Sequence, residues 1–336
     1  MNYDLIGIGN ALVDIEVRVE DSFIENLGIT KGGMTLYSAE DQNKVLQSLA
    51  GQPQKISSGG SAANTVHGLS VLGGNAYYLG RVASDKFGQH YTNDMQECGV
   101  GFPGPCAETD GTGTCVVLIT PDTERTMLTN LGVSSALHPD NIDATILRGA
   151  KAVYIEGYLW TVDETREAAI KMAALAKQNS IPVAFTLSDA FVVNLYKEGL
   201  LDFIRSHVDI LFCNEVESLA LTGAGDAHAA FPLLKAMADT VFLTVGKKGA
   251  VAGNNSNVTA CTGVFPVTAV DTTGAGDLFA AGALYGLINN HTIKEASIIG
   301  SYCAAQVVSN MGARLPVSTL TEVEKILAEY NQLDHG

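Results

Sequence analysis

The run Val208-Asp209-Ile210-Leu211-Phe212-Cys213-Asn214-Glu215-Val216-Glu217 passes from a short apolar stretch straight into an acid-rich helix start. An apolar run of that length with polar punctuation after it reads as a buried strand, and acids are favoured in the first turn of the helix that follows. The same rhythm recurs on both sides. Strands at Ala152–Ile155, Val183–Leu187, Asp209–Phe212 and Val241–Val245 alternate with helical patterns at Glu164–Gln178, Ala190–Arg205 and Ala227–Ala238. Such alternation predicts an α/β fold: a mainly parallel sheet with helices on both faces.

Outward from this core the pattern changes. Leu5-Ile6-Gly7-Ile8-Gly9 is a further buried strand. Val13, Ile15, Val17 and Val19 then alternate with Asp14, Glu16, Arg18 and Glu20, the period of a half-exposed strand. Thr114 to Thr120, a Pro121-Asp122 turn and Arg125 to Thr129 read as a β-hairpin. These segments stand outside the βα rhythm. They are assigned to a small β-rich lid, about residues 10–36 and 101–131, over the carboxyl edge of the sheet, where open α/β folds bind ligands. Helical patterns close the chain near Ala275–Ile288 and Ile293–Asn310, after a strand-like run from Val264 to Val270. No linker or repeat interrupts residues 1–336, so a single domain is expected.

Composition narrows the function. Twenty Lys and Arg against 36 Asp and Glu give a formal net charge of −16, which repels phosphate backbones and argues against nucleic-acid binding. Cys98, Cys106, Cys115, Cys213, Cys261 and Cys303 show no C-x-x-C pair and read as reduced thiols of a cytosolic protein. Met1-Asn2-Tyr3-Asp4-Leu5 carries an acid where a signal peptide needs basic residues, and no apolar run reaches the length of about 18 residues that a membrane span requires. A cytoplasmic protein without a membrane partner is expected.

The strongest chemical signal is Val270-Asp271-Thr272-Thr273-Gly274-Ala275-Gly276-Asp277-Leu278-Phe279. Two glycines around a small residue let a backbone approach a ligand. Consecutive N–H groups at a helix start make an anion hole, and Asp277 in the first turn is placed to accept a proton. Taken alone, a glycine-rich turn with Asp277 stabilising the helix start fits as well. Ser58-Gly59-Gly60-Ser61-Ala62-Ala63-Asn64-Thr65 offers a second close-approach turn. Asn64 adds a donor and an acceptor, although the segment alone reads as a helix start capped by Ser61. Gly7-Ile8-Gly9-Asn10-Ala11-Leu12 mimics a dinucleotide fingerprint but lacks the third glycine, and no G-x-x-x-x-G-K-[ST] occurs anywhere.

The Gly274 and Gly59 strings together resemble the two signatures of the PfkB-type carbohydrate kinases, within the ribokinase-like superfamily. The resemblance runs from Ile8 to about Pro316 and is nearest the adenosine-kinase branch. Segments such as Gly9–Ile15, Thr112–Cys115, Tyr154–Tyr158, Leu187–Phe191 and Val208–Glu215 carry it, and Ser61 stands where ribokinases have a lysine. It implies a three-layer α/β/α fold with a β-rich lid. It also implies an ATP-dependent kinase acting on the 5′-hydroxyl of a purine nucleoside, adenosine to AMP. A kinase for a free sugar such as ribose or fructose is the alternative, and a non-catalytic ligand sensor of the same fold is a second.

By the same resemblance Asp277 is the base and Gly274, Ala275 and Gly276 cradle the phosphoryl group. Arg125 reaches it from the lid, in a hairpin one residue longer than in the animal enzymes. Asn10, Asp14, Gly59, Gly60 and Asn64 grip the acceptor's hydroxyls. Leu36, Cys115, Leu131, Tyr158 and Phe191 wall its base, though each would serve equally as core. Asn214, Thr244, Gly246 and Gly249 border ATP, the last three also fitting a tight hairpin turn, and Glu217 serves a hydrated Mg²⁺. Asp271, Thr273, Val307, Asn310 and Gly312 match a loop that binds a monovalent cation, K⁺. The family's later serine on that side has no counterpart, Pro316 standing there. Small-molecule acceptor and ATP are the expected partners, and monomer and homodimer are equally compatible.

Overall fold

The computed structural model describes residues 2–106, 110–122, 124–256, 259–315 and 322–333. Thr123, at the tip of the expected hairpin, and Pro316 lie outside the described residues. The main sheet has eight strands in the order Thr259–Thr262, Ala250–Asn254, Thr240–Thr244, Ile210–Asn214, Val183–Thr186, Ala152–Glu156, Leu5–Ile8, Ala76–Leu79. The last six pair in parallel, and the first two close the edge as antiparallel hairpins.

Alternating side chains of these strands feed two layers. On one face Ile6, Ile8, Val153, Ile155, Val183, Phe185, Leu211 and Val241 pack with helices Asp163–Gln178, Ala190–His207 and Ala227–Lys235. On the other, Tyr154, Ala184, Phe212 and Phe242 meet helices Ser61–Val71 and Ala275–Ile288. Helix Ile293–Val308 lies outside these, packed on Ala275–Ile288. Helices start where the sequence offers caps: Asp189 accepts from the Phe191 N–H, Asp226 from that of Ala229, and Asn214 and Glu217 cap each other reciprocally. Among the described residues no helix is long and apolar enough to cross a membrane.

The lid is a separate five-stranded sheet, ordered Met34–Leu36, Arg125–Asn130, Gly113–Ile119, Leu12–Arg18, Gln54–Gly59. Strand Gln54–Gly59 joins it from between the two expected lid segments, while Gly101 and Cys106 bridge to Tyr77 and Ala83 beside the main sheet. Its outer face is sealed: Ile15, Val17, Val116, Leu118 and Leu128 pack with Ile24, Val45 and Leu49 of the covering helices. The inner face is set by register. Leu36 pairs with Thr129, Thr129 with Cys115 and Cys115 with Asp14, so one row of side chains crosses four strands on the side facing the main sheet.

One expectation is corrected. Val264 to Val270 is irregular; the edge strand ends at Thr262. Pro266 has no N–H to give a ladder, and Val264, Val267 and Val270 are about 40% exposed, with Phe265 alone drawn into the core against Tyr302 and Tyr330.

The helix that carries Asp277 is held by close backbone approach. A Cβ at Gly282 would lie 2.7 Å from the Ile299 carbonyl oxygen and 2.9 Å from the Gly300 Cα. Gly282→Val should therefore cost about 2 kcal/mol of stability, the usual scale of overpacking. A urea unfolding midpoint equal to that of the parent would show that the two helices separate freely.

Candidate active site

Between the lid and the carboxyl edge of the main sheet lies a cavity of about 420 Å³, within the range usual for small-ligand sites. Its floor is made by two helix starts. Gly60 precedes the helix Ser61–Val71 with φ 96°, and Gly274 precedes the helix Ala275–Ile288 with φ 74°. Both values favour glycine, and a Cβ at either would meet backbone, the Asn10 carbonyl or Ala313. Gly276 has open space where a side chain would be. The amides after Gly274 thus begin a 14-residue helix at a cavity wall, an arrangement that suits an anion.

Asp277 sits one turn in. The Ser61 hydroxyl donates to one of its oxygens at 2.6 Å and the Asn64 amide to the other at 2.9 Å. The cavity's solvent reaches this carboxylate, but protein surrounds it on most sides. Burial pushes its pKa up to about 6, and the two hydrogen bonds keep it from rising further. Ser61 therefore serves Asp277 rather than capping its own helix, whose cap is Gly60.

Three more of the carboxyls that line the cavity are held above the usual carboxylate range. Asp14 is lifted to about 7 by burial and the Glu16 charge, against the pull of Arg125 and Arg314. Its carboxylate lies over Gly59, where any side chain would collide with it. Glu217 is lifted to about 7 by burial, with Asn214 hydrogen bonds opposing. Glu156 is also raised to about 7 by burial, although it accepts the Asn10 and Ala62 N–H groups, each at 2.7 Å. Those two bonds tie the first residue before the lid to the helix of Ser61. Asn10 lines the cavity, and its side-chain oxygen is buried without a hydrogen-bond partner among the described residues.

Arg125 reaches down from the lid. One of its nitrogens bonds Asp271 at 2.7 Å and lies 3.3 Å from Glu16, and its other terminal nitrogen is buried without a partner. Asp271 also accepts from Thr273 N–H and Gly312 N–H. The lid, the turn before Gly274 and the loop at Gly312 therefore meet on one carboxylate.

Of the residues singled out in the sequence, Asn10, Asp14, Gly60, Asn64, Leu36, Cys115, Leu131, Tyr158, Arg125, Asn214, Glu217, Thr244, Thr273, Gly274, Ala275, Gly276 and Asp277 line this one cavity. The others do not line it. Phe191 packs toward the main core, Gly246 and Gly249 form a hairpin turn beyond Thr244, and Val307 is core. Asn310 is exposed and turned back on its own helix, while Asp271 and Gly312 bond each other behind the turn. Sequence reasoning assigned no role to Glu156, Glu16 or Arg314. For Glu156 the signal was an acid ending an otherwise apolar strand; the other two had none.

Burial makes the neutral form of Glu156 the one the fold prefers. Its contribution to stability is full below about pH 4.5 and lost as pH rises through about 7. A shift of that size corresponds to roughly 3 kcal/mol. Glu156→Gln cannot ionise, so the fall of Tm between pH 4.5 and 7 should be shallower in the variant. Parallel Tm–pH curves would rule out proton release by Glu156 across this range.

Residues 22–320 match the pfkB family carbohydrate kinases. Over 94% of its length the chain is 28% identical to adenosine kinase of Saccharomyces cerevisiae, spanning 98% of that protein. The crystal structure of adenosine kinase from Sinorhizobium meliloti is similar with a TM-score of 0.90 at 37% identity, covering 98% of this chain and 99% of that one. A probable sugar kinase from Rhizobium etli CFN 42 is similar with a TM-score of 0.91 at 34% identity, covering 99% of each chain. The chain belongs to the pfkB family of carbohydrate kinases and is a phosphotransferase that acts on a hydroxyl group.

Proposed function

We propose that this kinase transfers the γ-phosphoryl group of ATP to the 5′-hydroxyl of a purine nucleoside, with adenosine the first candidate. The observation that carries the reading is the placement of Asp277. Its carboxylate is anchored by Ser61 and Asn64 beside the helix start at Gly274–Gly276, on the cavity wall that also holds Asn10, Asp14 and Gly60. In this reading Asn10, Asp14 and Asn64 hold the sugar hydroxyls, and Asp277 takes the proton of the attacking hydroxyl. The Gly274–Gly276 amides receive the charge that develops on the transferred group, and Arg125 lines the same cavity with one terminal nitrogen buried and without a partner among the described residues.

Leu36, Cys115, Leu131 and Tyr158 supply apolar and aromatic surface on the remaining wall, as a base requires. The relatives named as adenosine kinases support the nucleoside. The one described as a probable sugar kinase keeps a free sugar as the second reading. Among the described residues no group of three or more His, Cys, Asp or Glu forms a metal cage. That fits a Mg²⁺ that arrives on the nucleotide with most of its waters, held to the protein through Glu217. Bound there, the ion would supply neutralising charge to the phosphates.

Three measurements test this. Incubation with ATP and a panel of adenosine, inosine, guanosine, ribose and fructose should release ADP fastest with a purine nucleoside. Rapid turnover of fructose with none of adenosine would replace the nucleoside by a sugar, and no ADP with any acceptor would favour a ligand sensor. Asp277→Asn should lower kcat at least about a hundredfold with the fold intact. With a base of pKa about 6, the parent's kcat should decline as pH drops below that value, because the protonated carboxyl cannot accept the hydroxyl's proton. Near-normal turnover by the Asn variant would remove Asp277 as the base.

A further inference from the structure

Arg314 is a buried cation that the reaction as described does not use. It lies two residues beyond Gly312, in the irregular segment that follows helix Ile293–Val308, and its side chain is only 13% exposed. Burying a guanidinium is costly unless it is well paired, so its partners show what it is for. Its Nε donates to the Asn64 side-chain oxygen at 3.4 Å, its only hydrogen bond among the described residues. Nη1 stands 3.7 Å from Asp94, beyond hydrogen-bond reach, and the guanidinium carbon lies 5.5 Å from the Tyr91 ring centroid. Nη1 and Nη2 have no hydrogen-bond partner.

We propose that Arg314 is a positioning residue of the phosphoryl-transfer site: it holds the Asn64 amide in the one orientation in which its NH₂ group donates to Asp277. An amide side chain has an accepting end and a donating end. With the oxygen engaged by Arg314, the nitrogen faces Asp277 at 2.9 Å. Turned over, the oxygen would face the Asp277 carboxylate and the NH₂ would face the Arg314 N–H. Both contacts would then be repulsive. Arg314 and Asp277 therefore select the same rotamer from opposite sides.

The consequence reaches the proposed base, and this inference rests on that reading of Asp277. The Asn64 hydrogen bond is one of the two that restrain Asp277 against its burial. An amide free to turn would leave the carboxylate with the Ser61 donor alone. It would also free the Asn64 oxygen, so that the acceptor's hydroxyl would meet a group of mixed polarity in place of a fixed donor.

Other charged or titratable groups face Arg314, and they bear on any pH effect. Asp94 and Tyr91 come from helix Lys86–Glu97, with Cys98 at its end, and His90 of the same helix lies 3.6 Å from Asp94. Asp14 comes from the lid, and Tyr78 from the edge strand of the main sheet. His67 comes from the helix of Asn64, and burial together with Arg314 pushes it down to about 3. It therefore stays neutral across the working range. A purely structural role for the segment is also in view, since Ala313 packs against Gly274 and the Gly312 N–H bonds Asp271.

Arg314→Met removes the donor and the charge at similar volume, and Arg314→Gln provides a polar substitute if the Met variant does not fold. With thermal melting as the check on the fold, Arg314→Met should lower kcat about tenfold, the scale of a displaced catalytic contact, while KM for ATP changes less than about twofold. In an Asn64→Ala background the same substitution should have no further effect on kcat. A loss that persists undiminished there would overturn the proposal. So would a loss of folding stability with kcat unchanged. The Asp277 carboxyl, followed by ¹³C NMR titration and assigned with Asp277→Asn, gives a readout that needs no turnover. In folded Arg314→Met or Arg314→Gln its midpoint should move upward by at least about half a unit as the donor is lost, and an unmoved midpoint would overturn the proposal. If no acceptor is phosphorylated at all, the kinase reading fails on its own, and the titration repeated in the Asn64→Ala background, where the Arg314 substitution should no longer move the midpoint, still decides whether Arg314 acts on Asp277 through Asn64.

Discussion

A carboxylate that must accept a proton near neutral pH has to be dry enough to be basic and bonded enough to stay ionised. Asp277 meets both demands through two donors carried by a different helix, Ser61 and Asn64. The distances of the site are therefore the distances of a helix pair. Ser61–Val71 and Ala275–Ile288 can come close because Gly68 faces Leu278 and Ala281, and the second helix is pressed from behind by Ile293–Val308 at Gly282, Gly286 and Gly300. Small residues on these helices are the condition under which Asp277 has partners at hydrogen-bonding range. The hydrogen bonds of Asp277 depend on the packing of the layer.

The lid is joined to this layer at two points. Glu156 collects the N–H groups of Asn10 and Ala62, so the chain leaves the main sheet for the lid from a fixed place beside the glycine turn. Asp271 collects Arg125, Thr273 and Gly312 on the other side. Between them the row Leu36, Thr129, Cys115 and Asp14 roofs the cavity by strand register alone, since a pleated strand sends every second side chain to one face. A slip of one residue in any of these pairings would turn Asp14 or Cys115 outward, into the apolar layer under the covering helices.

Much of this was legible. The βα alternation from Ala152 to Val245 yields the parallel sheet, and the strings around Gly60 and Gly274 mark the two turns that meet in the cavity. What escaped was long-range pairing. The alternation along Leu12–Arg18 shows that its faces differ, but not that Glu16 would be buried against Arg125 and Lys55 instead of facing water. Strand Gln54–Gly59 has no apolar period because its ladder, not its side chains, attaches it to the lid. Val264 to Val270 has strand-forming residues and yet no ladder, since Pro266 interrupts the edge. Arg314 gave no local sign, because its meaning lies wholly in the amide of Asn64, far away in sequence.

An acidic chain that accepts a polyanion looks contradictory until the ranges of the forces are compared. The net charge of −16 acts through solvent and is screened within about a Debye length, roughly 8 Å at physiological salt. Backbone amides at Gly274–Gly276 act at a single hydrogen bond. Inside the cavity the count of acids overstates the negative charge. Burial pushes Asp14, Glu156 and Glu217 up to about 7, which favours their neutral forms far more than water does for acids at the surface. The burial that raises Asp277 thus also raises these three carboxyls and weakens the negative field inside the cavity. Arg125, with one buried nitrogen still unpartnered, adds positive charge on the lid side. Repulsion at the surface and acceptance in the cleft follow from one distribution of carboxylates, dense where water screens them and partly neutral where it does not.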